Sequence, residues 1–468
     1  MSFAISSVAR PGAAPATPRQ KFRNWPFCGT EAGAVLRLAC PIVMIVLINM
    51  GMSVTDTMMV SWFFGAEALA AVAVGSDLYS IVFYLGAGII GGLSPFFAEA
   101  VARRSVVEQI KYRLAGWFVT GTTAIILFPL VWFAPYTLGL VGLDQGLLEA
   151  GRGYTRAMAF TLLPMLVVIL FRTLLTAAER PKVFLFVTLA VLPLNAAANA
   201  AFMLGYLGLP EFGPTGAGIS SFIVALAMAI ALAAILNREI GRAEGASRVP
   251  VPIDWKTIMD VVRVGIPIGI ATVADLGIFL GATLYAATLG AADVAAHTIA
   301  LRLAGVFYAV PVALMQASTV RIARREAGDL DGRRTVIATS ITISIAAGIL
   351  HAGLLAGLAP HVSALVFDGS QVGLTAAGLI FGLVLILGMI EVLETPTATA
   401  SGLMRGLKDT RAPMAYVLIG YWAISAPLGV LLTRYWQMGI TGVWIALAVG
   451  TLVTAVLNLQ RLKRYWRA

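Results

Sequence analysis

The sequence predicts an all-α polytopic membrane protein, with twelve transmembrane helices in two pseudo-symmetric six-helix bundles. Composition gives the first reason. Of 468 residues, 59% are hydrophobic and 12% charged, with a mean hydropathy of +0.89; a soluble domain is nearer half apolar and a quarter charged. The apolar surplus falls in runs of about 20 residues or more, each long enough to cross a hydrocarbon layer about 30 Å thick. Basic residues are concentrated in alternate connections, which is the positive-inside pattern of membrane topology.

Residues 1–30 are rich in Ala, Pro and Ser and carry Arg10, Arg19, Lys21 and Arg23 without an apolar h-region. They read as a cytoplasmic N-terminal tail and not as a cleavable signal. Residues 31–237 form an N-lobe with apolar segments at 34–60, 68–98, 114–140, 157–178, 183–208 and 215–237. Residues 238–257, with Arg238, Arg242, Arg248 and Pro250-Val251-Pro252, read as a cytoplasmic inter-lobe loop. The C-lobe, 258–468, holds segments 258–288, 295–320, 335–358, 371–403, 413–433 and 438–460, then a short basic tail from Arg461.

An even number of spans puts both termini on one side. Placing that side in the cytoplasm of a bacterial inner membrane assigns inward all of the 33 Lys and Arg except five. Arg152, Arg156 and Arg434 fall in opposite loops, and Arg172 and Arg302 within helices. The net charge of +10 therefore reflects topology in a lipid bilayer and not a nucleic-acid partner.

The two halves look repeated. LRLACP at 36–41 opens the first and VRVGIP at 262–267 the second; GAEALAAVA at 65–73 matches GAADVAAHT at 290–298, and AVARR at 100–104 echoes RIARR at 321–325. Two copies of six helices have parallel topology, related by an axis along the membrane normal, and sites belong at the lobe interface or inside each lobe.

Carboxylates at membrane depth mark the candidate sites, because each costs at least about 2.5–3.5 kcal/mol there. Glu394 lies roughly 16 Å along its helix from Arg405, and Asp275 about 18 Å from Arg263, so two acids from different helices reach one level. Sharing a site, they would not both ionise comfortably, which predicts a proton or a cation such as Na⁺ at Asp275 and Glu394. Pro396 removes a backbone hydrogen bond beside them. In the N-lobe, Asn195 and Asn199 stand on one helical face, with Asn199 near the depth of Asp56. Both sites have a plain structural alternative as hydrogen-bonded packing between helices. At the repeat spacing Asp275 falls opposite Asn49 and Asp56 opposite Ala282, so the lobes carry their acids at different heights.

Enzyme chemistry is not expected. Cys28 and Cys40 imply no disulfide framework, and His297, His351 and His361 have no metal-ligand spacing. There is no phosphate-binding loop for direct ATP drive, and no cofactor is expected beyond the coupling ion.

At these residues the chain resembles the multidrug and toxic compound extrusion (MATE) family, and its NorM branch in particular. The resemblance rests on Pro41 with Asp56-Thr57, Arg180-Pro181-Lys182, Asn195 and Asn199, Gly213-Pro214-Thr215-Gly216-Ala217, and Pro267-Ile268-Gly269 with Asp275. It continues through Ala295-Ala296-His297-Thr298-Ile299-Ala300-Leu301, Gly402-Leu403-Met404-Arg405-Gly406 and Lys408-Asp409-Thr410-Arg411. It implies two bundles around a central cavity and export of cationic drugs against Na⁺ or H⁺ entry. Asp56, Asn195 and Asn199 fall at the family's first-lobe cluster, and Asp275 and Glu394 at the second-lobe acids.

Three departures stand out. Asp and Glu are exchanged between Asp275 and Glu394, position 390 is Ile390 where an aromatic hydroxyl would help, and Glu391 is an added acid in the candidate ion-coupling set. The expected function is a cation-coupled secondary antiporter for small organic cations, acting as a monomer. The alternative is a lipid-linked saccharide flippase on a related scaffold, which would need several cations in the central cavity.

Overall fold

The computed structural model describes residues 25–140, 142, 144–243, 252, 254–326, 328–365 and 371–467. Most of the N-terminal tail and the middle of the inter-lobe loop lie outside the described residues. All regular structure among the described residues is helical.

Eleven helical stretches are long and apolar enough to cross a membrane. The first, Gly29–Gly91, is two helices in one stretch, α1 (29–64) and α2 (66–91), broken at Gly65 with φ 82° and ψ −178°. That brings the count to the expected twelve. The conformation is one that glycine alone adopts without strain. Its repeat partner Gly290, with φ 142°, stands between the seventh and eighth helices, so both lobes break at the same place in the repeat.

A short helix, Ser94–Ala102, continues α2. Then come α3 Val106–Trp132, α4 Gln145–Ala177, α5 Pro181–Met203 and α6 Pro214–Ala243. In the second lobe α7 is Trp255–Ala286, and α8 runs Ala291–Ala323 with a break at Tyr308. They are followed by α9 Leu330–Leu365, α10 Gln371–Gly406, α11 Arg411–Arg434 and α12 Gly439–Arg467.

Starts follow side-chain capping where water is near. Ser105 accepts from Glu108 N at 3.3 Å, and Asp144 from Leu147 N at 2.8 Å. Inside α10, hydroxyls flank Pro396: Thr395 Oγ1 bonds Glu391 O at 2.9 Å and Thr397 Oγ1 bonds Leu393 O at 2.6 Å. These carbonyls lie on either side of that of Val392, for which Pro396 has no N–H to donate.

The lobes are clasped at the end that carries the basic connections. Gly88 of α2 and Gly92, the residue that caps it, cross α7 at Gly269 and Gly265. A β-carbon at Gly88 would stand 2.4 Å from Gly269 Cα, and one at Gly92 would stand 2.5 Å from Gly265 Cα. The two backbones meet directly, a contact that small residues alone permit. One apolar core runs through the crossing, with Leu38, Ile42 and Leu93 from one lobe against Val261, Leu314 and Val320 from the other.

Charges surround that crossing. Glu31, 4% exposed, accepts from Arg321 Nε at 2.7 Å, Arg321 Nη2 at 2.8 Å and Arg325 Nη2 at 2.7 Å. Arg321 Nη1 also reaches Glu179 Oε1 at 2.6 Å, and Lys408 Nζ reaches Glu99 Oε2 at 2.7 Å. Glu31 is thus an anchor of the lobe interface, in the first turn of a helix that begins at Gly29.

Candidate functional site

In the N-lobe, Asp56 stands in the half of α1 remote from the clasp. Asn199 Nδ2 on α5 donates to Asp56 Oδ1, and Asn195, one turn away on the same face, interacts with the same carboxylate. Both amides are buried. Asn199 Oδ1 has no hydrogen-bond partner among the described residues, so one acceptor remains for a cation or a donor.

In the C-lobe, Asp275 on α7 lies close enough to Glu394 on α10 for its charge to act on the Glu394 carboxylate. Each receives a tyrosine hydroxyl. Tyr308 OH donates to Asp275 Oδ2 at 3.2 Å, and Tyr421 OH to Glu394 Oε2 at 3.3 Å, with Thr451 Oγ1 3.2 Å from Tyr421 OH. Two irregularities of the helices aim these rings. Tyr308 occupies the break in α8, and Tyr421 sits in a π-helical stretch of α11, Leu418–Ser425. Such stretches recur at functional sites because the extra residue per turn redirects side chains. The next residue, Trp422, donates from Nε1 to Ala274 O at 2.9 Å, tying α11 to α7 beside Asp275. Arg405 extends its charge toward Asp275 and Tyr308. Two acids and two hydroxyl donors thus form one interacting set in a low dielectric, with Arg405 acting on its Asp275 side, and there a proton or cation is stabilised more than in water.

The MatE family profile matches residues 41–201 and 267–431, one stretch in each lobe. The chain belongs to the MatE family. Among its relatives, the probable multidrug resistance protein NorM of Mesorhizobium japonicum is 31% identical over 438 residues, covering 92% of this chain and 93% of that protein. The protein of the same description from Rhizobium meliloti is 30% identical over 461 residues, 96% of each chain. Among solved structures, the eukaryotic MATE transporter AtDTX14 superposes with a TM-score of 0.82 at 18% identity, over 94% of this chain and 98% of that one. An outward-facing MATE family multidrug resistance transporter gives 0.80 at 17% identity, over 93% and 96%. These structures share the two-lobe fold.

In this MatE transporter the sequence-predicted residues fall into three settings. Asp56, Asn195 and Asn199 come together in the N-lobe, and in the C-lobe Asp275 and Glu394 each hold a tyrosine hydroxyl with the charge of Asp275 acting on Glu394. Glu391, one turn from Glu394, points to α9 instead: its Oε2 lies 2.9 Å from His351 Nδ1. Tyr308 and Tyr421 escaped the sequence reading, which takes Arg405 only as the cationic end of its helix and His351 only as a histidine without metal-ligand spacing. Aromatic residues in apolar helices read as core, and the hydroxyl absent at Ile390 arrives here from other helices. A usable signal was present in Tyr421-Trp422, two amphipathic rings in the middle of a membrane span.

Proposed function

We propose that this MatE transporter is a secondary antiporter that exports small organic cations in exchange for H⁺ or Na⁺, with its basic, clasped end in the cytoplasm. The observation that carries the reading is the convergence of Asp275 and Glu394, each under a tyrosine hydroxyl, inside an apolar lobe. Such a pair takes up a proton or Na⁺ readily because two unneutralised carboxylates repel in low dielectric. Uptake from the outer side and release toward the cytoplasm then alternate with substrate, as the lobes rock about their crossing. The driving energy is sufficient, since one charge moving through 100 mV is worth about 2.3 kcal/mol.

The flippase alternative asks for free cations in the central cavity. Arg172, one of the two helix-borne arginines available, spends Nη2 on Gln316 Oε1 of the other lobe at 3.0 Å. The deciding experiment loads purified protein into vesicles with a fluorescent organic cation and imposes Na⁺ and pH gradients separately. Gradient-driven movement of the cation supports the antiporter, and the effective gradient names the ion. No movement under either gradient refutes it.

A further inference from the structure

The His351–Glu391 pair is buried where no function has been assigned. Both side chains are nearly excluded from solvent, at 7% and 4% exposure, with Nδ1 and Oε2 2.9 Å apart. Thr395 Oγ1 lies 3.5 Å from the same carboxylate oxygen. Gly348 brings the α9 backbone against Glu391, since a β-carbon there would meet Glu391 O at 2.8 Å. The Phe307 ring closes one side of the imidazole edge-on at 5.1 Å.

Two links join this pair to the carboxylates next door. Glu391 and Glu394 are one helical turn apart, and the charge of Glu391 acts on Glu394. Phe307, which touches His351, is followed by Tyr308, whose hydroxyl holds Asp275. On the side of the pair away from Glu394, the next turns of the seam are apolar: Leu355, Leu383, Val384 and Leu387. The ionisable group that feels the pair directly is Glu394 on α10, with Tyr308 on α8 next in sequence to the Phe307 ring; Asp275 on α7 and Tyr421 on α11 act through Glu394. α1 meets α9 nearer the clasp, where Cys28 N bonds Thr339 Oγ1 and Trp25 Nε1 bonds Thr342 Oγ1.

His297 makes the contrast. Trp444 Nε1 donates to its Nδ1 at 3.1 Å and Thr283 Oγ1 lies 3.0 Å from Nε2. Its ring accepts at one nitrogen from a group that has no lone pair to offer, so it is the neutral tautomer. His351 faces a carboxylate, which welcomes a charged ring.

We propose that His351 and Glu391 form a second proton-binding site of the C-lobe, which keeps or releases its proton according to the charge at Asp275 and Glu394. With the proton, the pair is imidazolium and carboxylate; without it, neutral imidazole and carboxylate. Negative charge at Asp275 and Glu394 holds the proton on His351, and arrival of a cation there releases it. This inference rests on the ion-coupled reading above and adds a proton to each cycle.

The test uses the three histidines of the chain. ¹⁵N-histidine spectra of full-length protein in detergent are recorded from pH 5 to 9 and assigned with His351→Gln and His361→Gln. The His351 signals are expected to pass from charged to neutral within this range while those of His297 stay neutral. In the double variant Asp275→Asn, Glu394→Gln, the pH of half-protonation should fall by about one unit, the effect of a unit charge about 10 Å away at an effective dielectric of about 20. Asp56→Asn, in the other lobe, should leave it in place. A His351 ring that does not titrate, or one with the same midpoint in the double variant, overturns the proposal. In vesicles, His351→Gln retains an N–H donor for Glu391 and should flatten the pH dependence of cation efflux. A profile superimposable on wild type overturns the proposal while leaving antiport intact; absence of efflux in wild type refutes antiport and leaves the spectra as the judge of the pair.

Discussion

Replacing Glu31 by glutamine should loosen the clasp between the lobes. Glu31 receives three charge-assisted N–H bonds from two arginines, each worth about 1.5–3 kcal/mol against an unpaired state. The glutamine side chain is isosteric but neutral, and its amide nitrogen can only donate, so it turns one N–H toward the arginines. Breaking a buried pair costs about 3–5 kcal/mol when the remaining charge is orphaned. Here the cost is smaller, because Arg321 keeps Glu179 at 2.6 Å and Arg325 keeps Asp329 at 3.7 Å. A loss of about 2 kcal/mol is reasonable, roughly a 30-fold shift in an equilibrium. Since the contact joins the two lobes, the loss falls on the clasped arrangement alone, and the population should move toward an arrangement open at the basic end. Spin labels at Lys182→Cys on α5 and Asp331→Cys on α9, in a background lacking Cys28 and Cys40, would read the separation of the lobes. A new, longer distance is expected in Glu31→Gln. Lower thermal stability with an unchanged distance distribution would refute the reasoning and make the network an element of fold stability only.

Four further outcomes are expected. Asp56→Asn removes the charge that Asn199 stabilises and should slow ion-driven efflux by about 10-fold or more at normal expression, a charge-assisted bond being worth about 1.5–3 kcal/mol; unchanged efflux in vesicles makes Asp56 structural. Neutralising Asp275 or Glu394 singly should abolish most coupling, and neutralising both should cost little more, because groups acting as a unit are not additive; losses that multiply in the vesicle assay would make them independent. Gly88→Leu places a side chain where Gly269 Cα stands 2.4 Å from an ideal β-carbon, so the lobes must part, and a lower melting temperature with a lengthened label distance should follow. Asp254 Oδ2 pairs with Lys111 Nζ at 2.7 Å and Oδ1 accepts from Lys256 N at 3.0 Å, which pulls its carboxyl down to about 2. This depressed acid stabilises the start of α7 fully above its unfolded value near 4 and loses that effect only as pH falls through about 2, so the protection of amides there against hydrogen exchange should be level between pH 5 and 8 and should drop in Lys111→Ala.

Much of the fold was legible because a bilayer leaves the backbone few options. Each run of about 20 apolar residues had to be a helix, and the basic connections then ordered them. The contact of Asp56 with Asn199 and the electrostatic reach of Asp275 to Glu394 were also legible, since depth along a helix follows from a fixed rise per residue. Depth says nothing about azimuth. Glu391 and Glu394 have similar depths, yet one faces His351 and the other Tyr421. The clasp was illegible for another reason: Glu31 and Arg321 are joined only by tertiary packing, across 290 positions. The helix breaks were half visible, through the repeated Gly65 and Gly290, but the π-helical stretch around Tyr421 left no mark in the pattern of apolar residues.

The position of the glycine crossing makes α2, together with the short helix Ser94–Ala102 that continues it, an unequal lever. From Gly92 to Glu99, whose carboxylate holds Lys408, is roughly 10 Å, whereas from Gly88 to the break at Gly65 is roughly 34 Å. Motion about that fulcrum is amplified about threefold at the long arm. Parting the Glu99–Lys408 contact by about 3 Å, enough to break an ion pair, accordingly swings the remote end by about 10 Å, a travel comparable to the width of a helix. In the antiport cycle proposed above, contacts measured in single ångströms at the short arm would hold or free an opening large enough for an organic molecule. Substitutions that shift the fulcrum by one turn would therefore change the size of the opening without touching any residue that lines it.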